Sequence, residues 1–300
     1  MTRNPAVIIA GYGQMGHAME ALLTGRASLH IWPIAPDNLE LPTVIRSAAT
    51  QAALLLVCTP TVAHAAVLEP LAPLFTADAA VLSIAKGLDD GGRTAAGILH
   101  AYRDAHPWGV LGGPMIANEI ATGRMGFAEL GTADGGLFAW ARELFPAERL
   151  RLSHTSNPQS VSWCGVLKNI YAPLIGVADG LGWGDNVRGH LIMAATAEMQ
   201  RLLPMLAGEG GGAHGDAGLA DFVTTITSAS SHHYALGRRI AGGDYRALEC
   251  EGVHSLQVIQ ASGRVDERRY PLYAVAVQLA REPARLAGAL HDWLTAYTAS

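Results

Sequence analysis

The apolar positions of this 300-residue chain follow two rhythms. Over roughly the first half they come in short continuous runs, each closed by glycine or proline. These are Ala6–Ala10 (AVIIA), Ser28–Trp32 (SLHIW), 53–58 (ALLLVC), 79–84 (AAVLSI) and 108–113 (WGVLGG). Runs of this length with no polar alternation predict strands buried on both faces, as in a parallel sheet. Weaker runs at 127–130 and 150–152 complete the sheet. From about Ser156 the strand-like runs stop. Longer apolar stretches with helical spacing take over at 161–177, 187–206, 217–228, 233–241, 252–261 and 271–297. The pattern predicts an α/β domain over residues 1–155 and an all-helical domain over 156–300. A glycine-rich loop, 208–215, lies within the second.

The first run leads directly into Gly11-Tyr12-Gly13-Gln14-Met15-Gly16, and a helix-like stretch follows. Strand, glycine turn and helix in that order form a dinucleotide-binding turn. Gly11 permits the tight bend, Gly13 lets the backbone approach a pyrophosphate, and Gly16 lets the helix pack close to the strand. The helix N-terminus faces the anion. The first domain is therefore expected to be a Rossmann domain, with Gly11, Tyr12, Gly13, Gln14, Met15 and Gly16 lining its cofactor. The end of the second run would carry an acid for a ribose diol or a base for an extra phosphate. Here Pro33-Ile34-Ala35-Pro36 follows, and Asp37 comes a few residues late, so NAD and NADP both remain open. The next runs end in Thr59-Pro60-Thr61, Ala85-Lys86-Gly87 and Gly113-Pro114. Ligands of open α/β sheets bind at such carboxyl ends. Pro60 is counted with the cofactor contacts.

Composition narrows the chemistry. Half of the residues are hydrophobic and 16% are charged, enough apolar material for sizeable cores. A net charge of −5 gives no basic footprint for nucleic acid. No apolar run approaches the roughly 20 residues of a membrane span. The N-terminus runs straight into a strand without a signal peptide, so a cytoplasmic protein is expected. Cys58, Cys164 and Cys250 have no metal-ligand spacing, and the 12 histidines form no chelating pattern, so no metal is expected. Of 21 basic residues only Lys86 and Lys168 are lysine; the other 19 are arginine. Arginine does not give up its proton near neutral pH, whereas a desolvated lysine can. Both lysines sit in apolar, glycine-flanked text, which marks them as candidates for chemistry rather than for solubility. Lys168 lies in the small, apolar stretch 161–186, VSWCGVLKNIYAPLIGVADGLGWGDN.

In the helical half, Asp221 and Thr225 stand four apart and share a helix face. Asp221 is flanked by apolar residues. It is expected either to cap a helix or to hold a cation such as Lys168. Glu198, also in an apolar helix, is expected either to pair with an arginine or to act in the site.

The segments GYGQMGHA, SIAKGLD, LGGPMIANEI, GVLKNIYAPLIGVADGLGWGDN, AEM, GLADFVTTITS and EGV occur in an order and spacing that resembles the NAD(P)-dependent glycerol-3-phosphate dehydrogenases. The resemblance spans nearly the whole chain. It implies a Rossmann domain, an all-α substrate domain and a homodimer. It implies hydride transfer between NAD or NADP and a small phosphorylated substrate, dihydroxyacetone phosphate or sn-glycerol 3-phosphate. It further implies Lys168 as the general acid/base, Lys86 as a second active-site lysine, and Asp221 as the residue that orients the ammonium. Asn169 and Thr225 would line the substrate pocket, and Glu251, before Gly252, would stand near the nicotinamide-ribose side. One departure concerns the phosphate. Where the family has Ser-Arg-Asn, this chain has Ser231-His232-His233, so His232 and His233 take the substrate-contact positions. Arg238 or Arg239 would then supply the charge, or the histidines would bind phosphate themselves. The same fold and lysine chemistry acting on another small hydroxy or keto compound, and a cofactor-binding sensor without catalysis, are the competing expectations.

Overall fold

The computed structural model describes residues 4–34, 39–208 and 211–297. Asp37, and residues 209 and 210 of the glycine-rich loop, lie outside them. The chain forms two compact units, residues 1–89 with 93–162 and residues 90–92 with 163–300.

The first unit is built on a seven-stranded sheet: β1 Ala6–Ala10, β2 Ser28–Trp32, β3 Ala52–Val57, β4 Ala80–Ser83, β5 Trp108–Gly112, β6 Gly126–Gly131 and β7 Leu150–Thr155. The spatial order is β2-β1-β3-β4-β5-β6-β7, parallel except for the antiparallel β5–β6 pair. The short apolar runs thus become strands within one or two residues of their expected ends. Central strands β3 and β4 are almost wholly buried, whereas the edge strand β7 is exposed or half-buried after Leu150. Val7, Ile9, Leu54, Leu56, Leu82 and Leu111 form one core with Met19 and Leu22. The helices of this unit are α1 Gln14–Leu23, α2 Thr43–Ala49, α3 His64–Leu71, α4 Ala95–Leu99, α5 Ala117–Ala121 and α6 Gly135–Leu144.

The second unit is helical: α7 Pro158–Gly180, whose first turn belongs to the first unit, then α8 Asp185–Ala207, α9 Asp221–Thr227, α10 His232–Ala241, α11 Glu251–Ser262, α12 Pro271–Arg281 and α13 Leu286–Tyr297. The stretch 271–297 breaks in two at Glu282-Pro283, because proline disfavours helix in the residue before it and has no N–H to continue the ladder. The stretch 217–228 begins with a π-type turn, Asp216–Ala220, before α9.

Helix α7 is longer than its apolar text suggested. By length and composition alone it could cross a membrane, but its most apolar window is entirely buried within the protein. A helix apolar on all sides is buried on all sides, and small residues let its neighbours reach its backbone. A Cβ at Gly176 would overlap the carbonyl of Tyr234, and one at Gly237 would overlap that of Pro173. Helices α7 and α10 therefore cross glycine on glycine. A Cβ at Gly252 would in turn overlap the carbonyl of Asn169. Pro173 has no N–H to offer that same carbonyl four residues back.

Glu198 of α8 settles into a structural place. Its carboxylate accepts hydrogen bonds from the backbone N–H groups of Leu272 and Tyr273 and from the Tyr171 hydroxyl, all at 2.8 Å, with Arg201 3.6 Å away. It caps α12 and ties that helix to α7. Burial raises its pKa, and the three bonds oppose the rise. The arginine pairing expected of it is the weaker part of its surroundings.

Gly176→Ala tests the close crossing. The added methyl meets backbone, which cannot rotate away, so a loss of at least about 2 kcal/mol in urea unfolding is expected. An unchanged midpoint would show that α7 and α10 have room to part.

Candidate active site

In the first unit the glycine turn has the conformation that its residues predict. Gly11 has φ +94°, and a Cβ there would lie 2.8 Å from the Thr59 methyl and 2.9 Å from the Cys58 backbone. Its N–H donates to the Trp32 carbonyl at 3.0 Å, and the Cys58 N–H donates to the Ala10 carbonyl at 2.7 Å. The turn is thus pinned to the strands on both sides. A Cβ at Gly16 would overlap the Gly11 carbonyl, which is why α1 can start so close to β1. At Gly13, by contrast, a Cβ would meet nothing within 4 Å. Gly13 caps α1, and no side chain there bonds the first-turn amides. Tyr12 donates its hydroxyl to Glu20 and lays its ring 3.8 Å from that of His17. Gln14 is exposed and Met15 half-buried in the first turn. A bare backbone on an open face, at an uncapped helix N-terminus, fits the pyrophosphate of a dinucleotide.

Beside it, β3 ends in buried Thr59, exposed Pro60 and buried Thr61; neither threonine hydroxyl has a hydrogen-bond partner among the described residues. At the end of β4, Lys86 is half-buried, and its ammonium donates to the Gly113 carbonyl at 3.0 Å. Pro60 and Lys86 therefore stand in the loops at the carboxyl ends of neighbouring strands.

In the second unit Lys168 lies at the middle of α7 with only 5% of its surface exposed. Its ammonium donates to Thr225 Oγ1 at 2.7 Å and lies 3.4 Å from Asp221 Oδ1. Thr225 donates its own hydroxyl proton to the Asp221 carbonyl at 2.8 Å, which leaves its oxygen turned to receive the lysine. Asp221 is therefore the cation holder rather than a helix cap. The π-type turn before α9 sets its register on the lysine, a use such turns often have at functional sites. Asn169 follows Lys168 and is buried. Its backbone meets Gly252, and a Cβ at Gly252 would also come within 3.3 Å of His233 Nδ1. His232, His233, Arg239, Cys250 and Glu251 line a depression of about 570 Å³. The Arg239 guanidinium is bonded to Asp244 at 3.1 Å and to the carbonyls of Arg246 and Ala247.

The first unit thus brings Gly11 to Gly16, Pro60 and Lys86 to the carboxyl edge of its sheet. The second joins Lys168, Asp221 and Thr225 directly, and His232, His233 and Glu251 around one hollow. Among the described residues, no three His, Cys, Asp or Glu side chains gather as metal donors. One feature has no signal in residue spacing. His64 of α3 and Ser83 of β4, both fully buried, bond each other between the Pro60 and Lys86 loops.

Two family models match the chain. The N-terminal domain of NAD-dependent glycerol-3-phosphate dehydrogenase matches residues 6–134, and its C-terminal domain matches residues 157–290. The glycerol-3-phosphate dehydrogenase [NAD(P)+] of Synechococcus sp. (strain RCC307) is 34% identical over 216 residues, 68% of this chain and 72% of the relative. That of Nitratidesulfovibrio vulgaris is 28% identical over 299 residues, 89% and 91% of the two chains. The glycerol-3-phosphate dehydrogenase structure from Coxiella burnetii superposes with a TM-score of 0.83 at 22% identity, covering 98% of this chain and 99% of that one. That from Plasmodium falciparum gives 0.80 at 16% identity, covering 96% and 94%.

Two measurements test the geometry. Asp221→Ala leaves the Lys168 ammonium buried without its carboxylate and is expected to lower stability by about 3–5 kcal/mol. Lys168→Met with Asp221→Leu removes both charges and should recover most of that loss in the same urea titration. The second concerns His64. Burial lowers its pKa to about 4, against the bond to the Pro60 carbonyl and the charge of Asp89, which both raise it. The unfolded chain takes up this proton near pH 6.5, while the folded one refuses it until about pH 4. The unfolded state binds more protons in that window, so stability is full above it and falls by about 3 kcal/mol as pH drops through it. His64→Gln should flatten that part of the curve.

Proposed function

The chain belongs to the NAD-dependent glycerol-3-phosphate dehydrogenase family, and on that premise we propose that it interconverts dihydroxyacetone phosphate and sn-glycerol 3-phosphate with NAD or NADP. The observation that carries this reading is the buried ammonium of Lys168 between Thr225 and Asp221. Reduction of a carbonyl leaves negative charge on oxygen, and the nicotinamide, when bound, supplies or accepts the hydride. Lys168 gives the proton to that oxygen and takes it back in the reverse direction. Asp221 and Thr225 hold the ammonium in one orientation, so the proton travels along a fixed line.

Gly11, Tyr12, Gly13, Gln14, Met15 and Gly16 hold the pyrophosphate against the N-terminus of α1, and Pro60 lines the same cofactor. Lys86 adds a second positive charge, which stabilises the developing alkoxide. Asn169 and Thr225 line the substrate pocket, and Glu251 stands on the nicotinamide-ribose side. The phosphate falls to His232 and His233, with Arg239 in the same hollow. Because the Arg239 guanidinium is bonded to the 244–247 turn, a second reading keeps the chemistry and changes the anion. In that reading the histidines select a small hydroxy or keto acid that carries another group in place of phosphate. A cytoplasmic homodimer completes the proposal.

Purified protein with dihydroxyacetone phosphate and NADH or NADPH should consume the reduced nicotinamide. Lys168→Met should lower kcat by about 10³-fold with little change in nucleotide affinity. Background turnover alongside tight nucleotide binding would remove this substrate in favour of the second reading. Full activity in Lys168→Arg would remove the lysine from proton transfer.

A further inference from the structure

We infer that His64 and Ser83 form a positioning couple that fixes the backbone of the Lys86 loop to that of the Pro60 loop. The inference rests on the reading of Lys86 as an active-site residue. His64 opens α3 just after β3, Ser83 ends β4, and both have no exposed surface. Nδ1 of His64 lies 3.2 Å from the Pro60 carbonyl, and Nε2 lies 2.7 Å from Ser83 Oγ. The Ala85 N–H donates to the same Ser83 oxygen at 3.1 Å.

These contacts admit one arrangement of protons. A carbonyl only accepts, so Nδ1 carries the hydrogen and Nε2 is left to accept. Ser83 therefore donates its hydroxyl proton to Nε2, and its oxygen is free to receive Ala85. Burial keeps the ring neutral well below neutral pH. The relay runs from the Pro60 carbonyl through His64 and Ser83 to the amide next to Lys86.

The backbone groups it serves explain why it is there. The Ala85 N–H and the Pro60 carbonyl lie in loops at the carboxyl ends of adjacent strands, where no sheet ladder fixes them. The Pro60 carbonyl also accepts from the Ala63 N–H at 3.0 Å, so an apolar pair of the same volume would leave the Ala85 N–H unbonded and cut the tie between the two loops. Lys86 is then held twice. Ser83 sets the backbone at Ala85, and the Gly113 carbonyl receives the ammonium. Gly113 has φ +142°, and a Cβ there would lie 2.6 Å from the Phe127 carbonyl, so its own direction is set by a conformation that only glycine takes easily.

Ser83→Ala and His64→Leu are the test, measured in the whole protein with Lys86→Met alongside. Both should lower kcat for dihydroxyacetone phosphate about tenfold or more while nucleotide affinity stays within roughly twofold. Hydrogen exchange should quicken at the amides of residues 84–87 and not in β1. Ser83→Thr, which keeps the hydroxyl, should restore most of the rate, and His64→Gln should lie nearer to wild type than His64→Leu. Folded variants with unchanged exchange at 84–87 and unchanged kcat overturn the couple. So does a parallel fall of kcat, nucleotide affinity and melting temperature, which marks a residue needed only for folding. Lys86→Met at full rate removes Lys86 from the site, and exchange at 84–87 then still judges the couple by itself. If the variants do not fold, nitrogen NMR of the wild-type protein decides. His64 protonated on Nδ1 supports the relay, and the opposite tautomer overturns it.

Discussion

The second unit is arranged around a cation that has almost no water. An ammonium taken out of solvent loses several kcal/mol of hydration and recovers it only with a close carboxylate and good hydrogen bonds. Lys168 has both, from a single turn of α9. That turn must therefore sit against the middle of α7, and its register is set by the π-type turn ahead of it. The remaining surface of α7 is free to be apolar, and the neighbouring helices approach it through glycine. Gly176 with Gly237, and Gly252 on Asn169, bring α10 and α11 to backbone distance. Side chains at the ends of those helices, His233 and Glu251 among them, are thereby delivered near the lysine's own helix. The apolar stretch with one odd charge is a packing solution and a chemical one together.

The first unit solves a different problem. A buried parallel sheet has no exposed face on which to place polar groups, so its chemistry is confined to the loops at the strand ends. Glycine does the positioning at β1 and β5, through Gly11 and Gly113, while the His64–Ser83 bond does it between β3 and β4. Both devices fix backbone rather than side chain. That would suit the proposed cofactor, whose pyrophosphate would be held largely by main-chain amides.

The parts of this design that were legible in the sequence are those written at fixed spacing. The strand runs, the Gly11-x-Gly13-x-x-Gly16 turn, and Asp221 with Thr225 on one helix face all depend on neighbours in the chain. The rarity of lysine pointed to Lys168 and Lys86 without any spacing at all. What stayed hidden was long-range. Glu198 bonds residues 74 and 75 positions away, and His64 bonds one 19 away. No local periodicity records such a partner. The stretch 271–297 misled for another reason: its apolar spacing continues through Pro283, but the backbone cannot.

The two ends of a substrate make unequal demands on such a site. Proton transfer needs one group at one distance, and the ammonium of Lys168, the group proposed for it, is held by Thr225 and Asp221. Anion binding needs positive charge or several donors with some freedom of approach. In the hollow of α10 and α11 the arginine is tied to its own turn by Asp244, and Ala247 takes a positive φ of 46° where that turn bends beneath it. Glu249 and Glu251 border the same hollow. A phosphate entering it would meet two imidazoles and two carboxylates before any guanidinium came free. Its grip would therefore rest on hydrogen-bond donors and on helix α10's first turn more than on net charge, and it would be less sensitive to salt than a bidentate arginine clamp. On the proposed reading the lysine end is the more tightly constrained of the two, with Lys168 held by Thr225 and Asp221, and the hollow of α10 and α11 is where substrate choice would be decided.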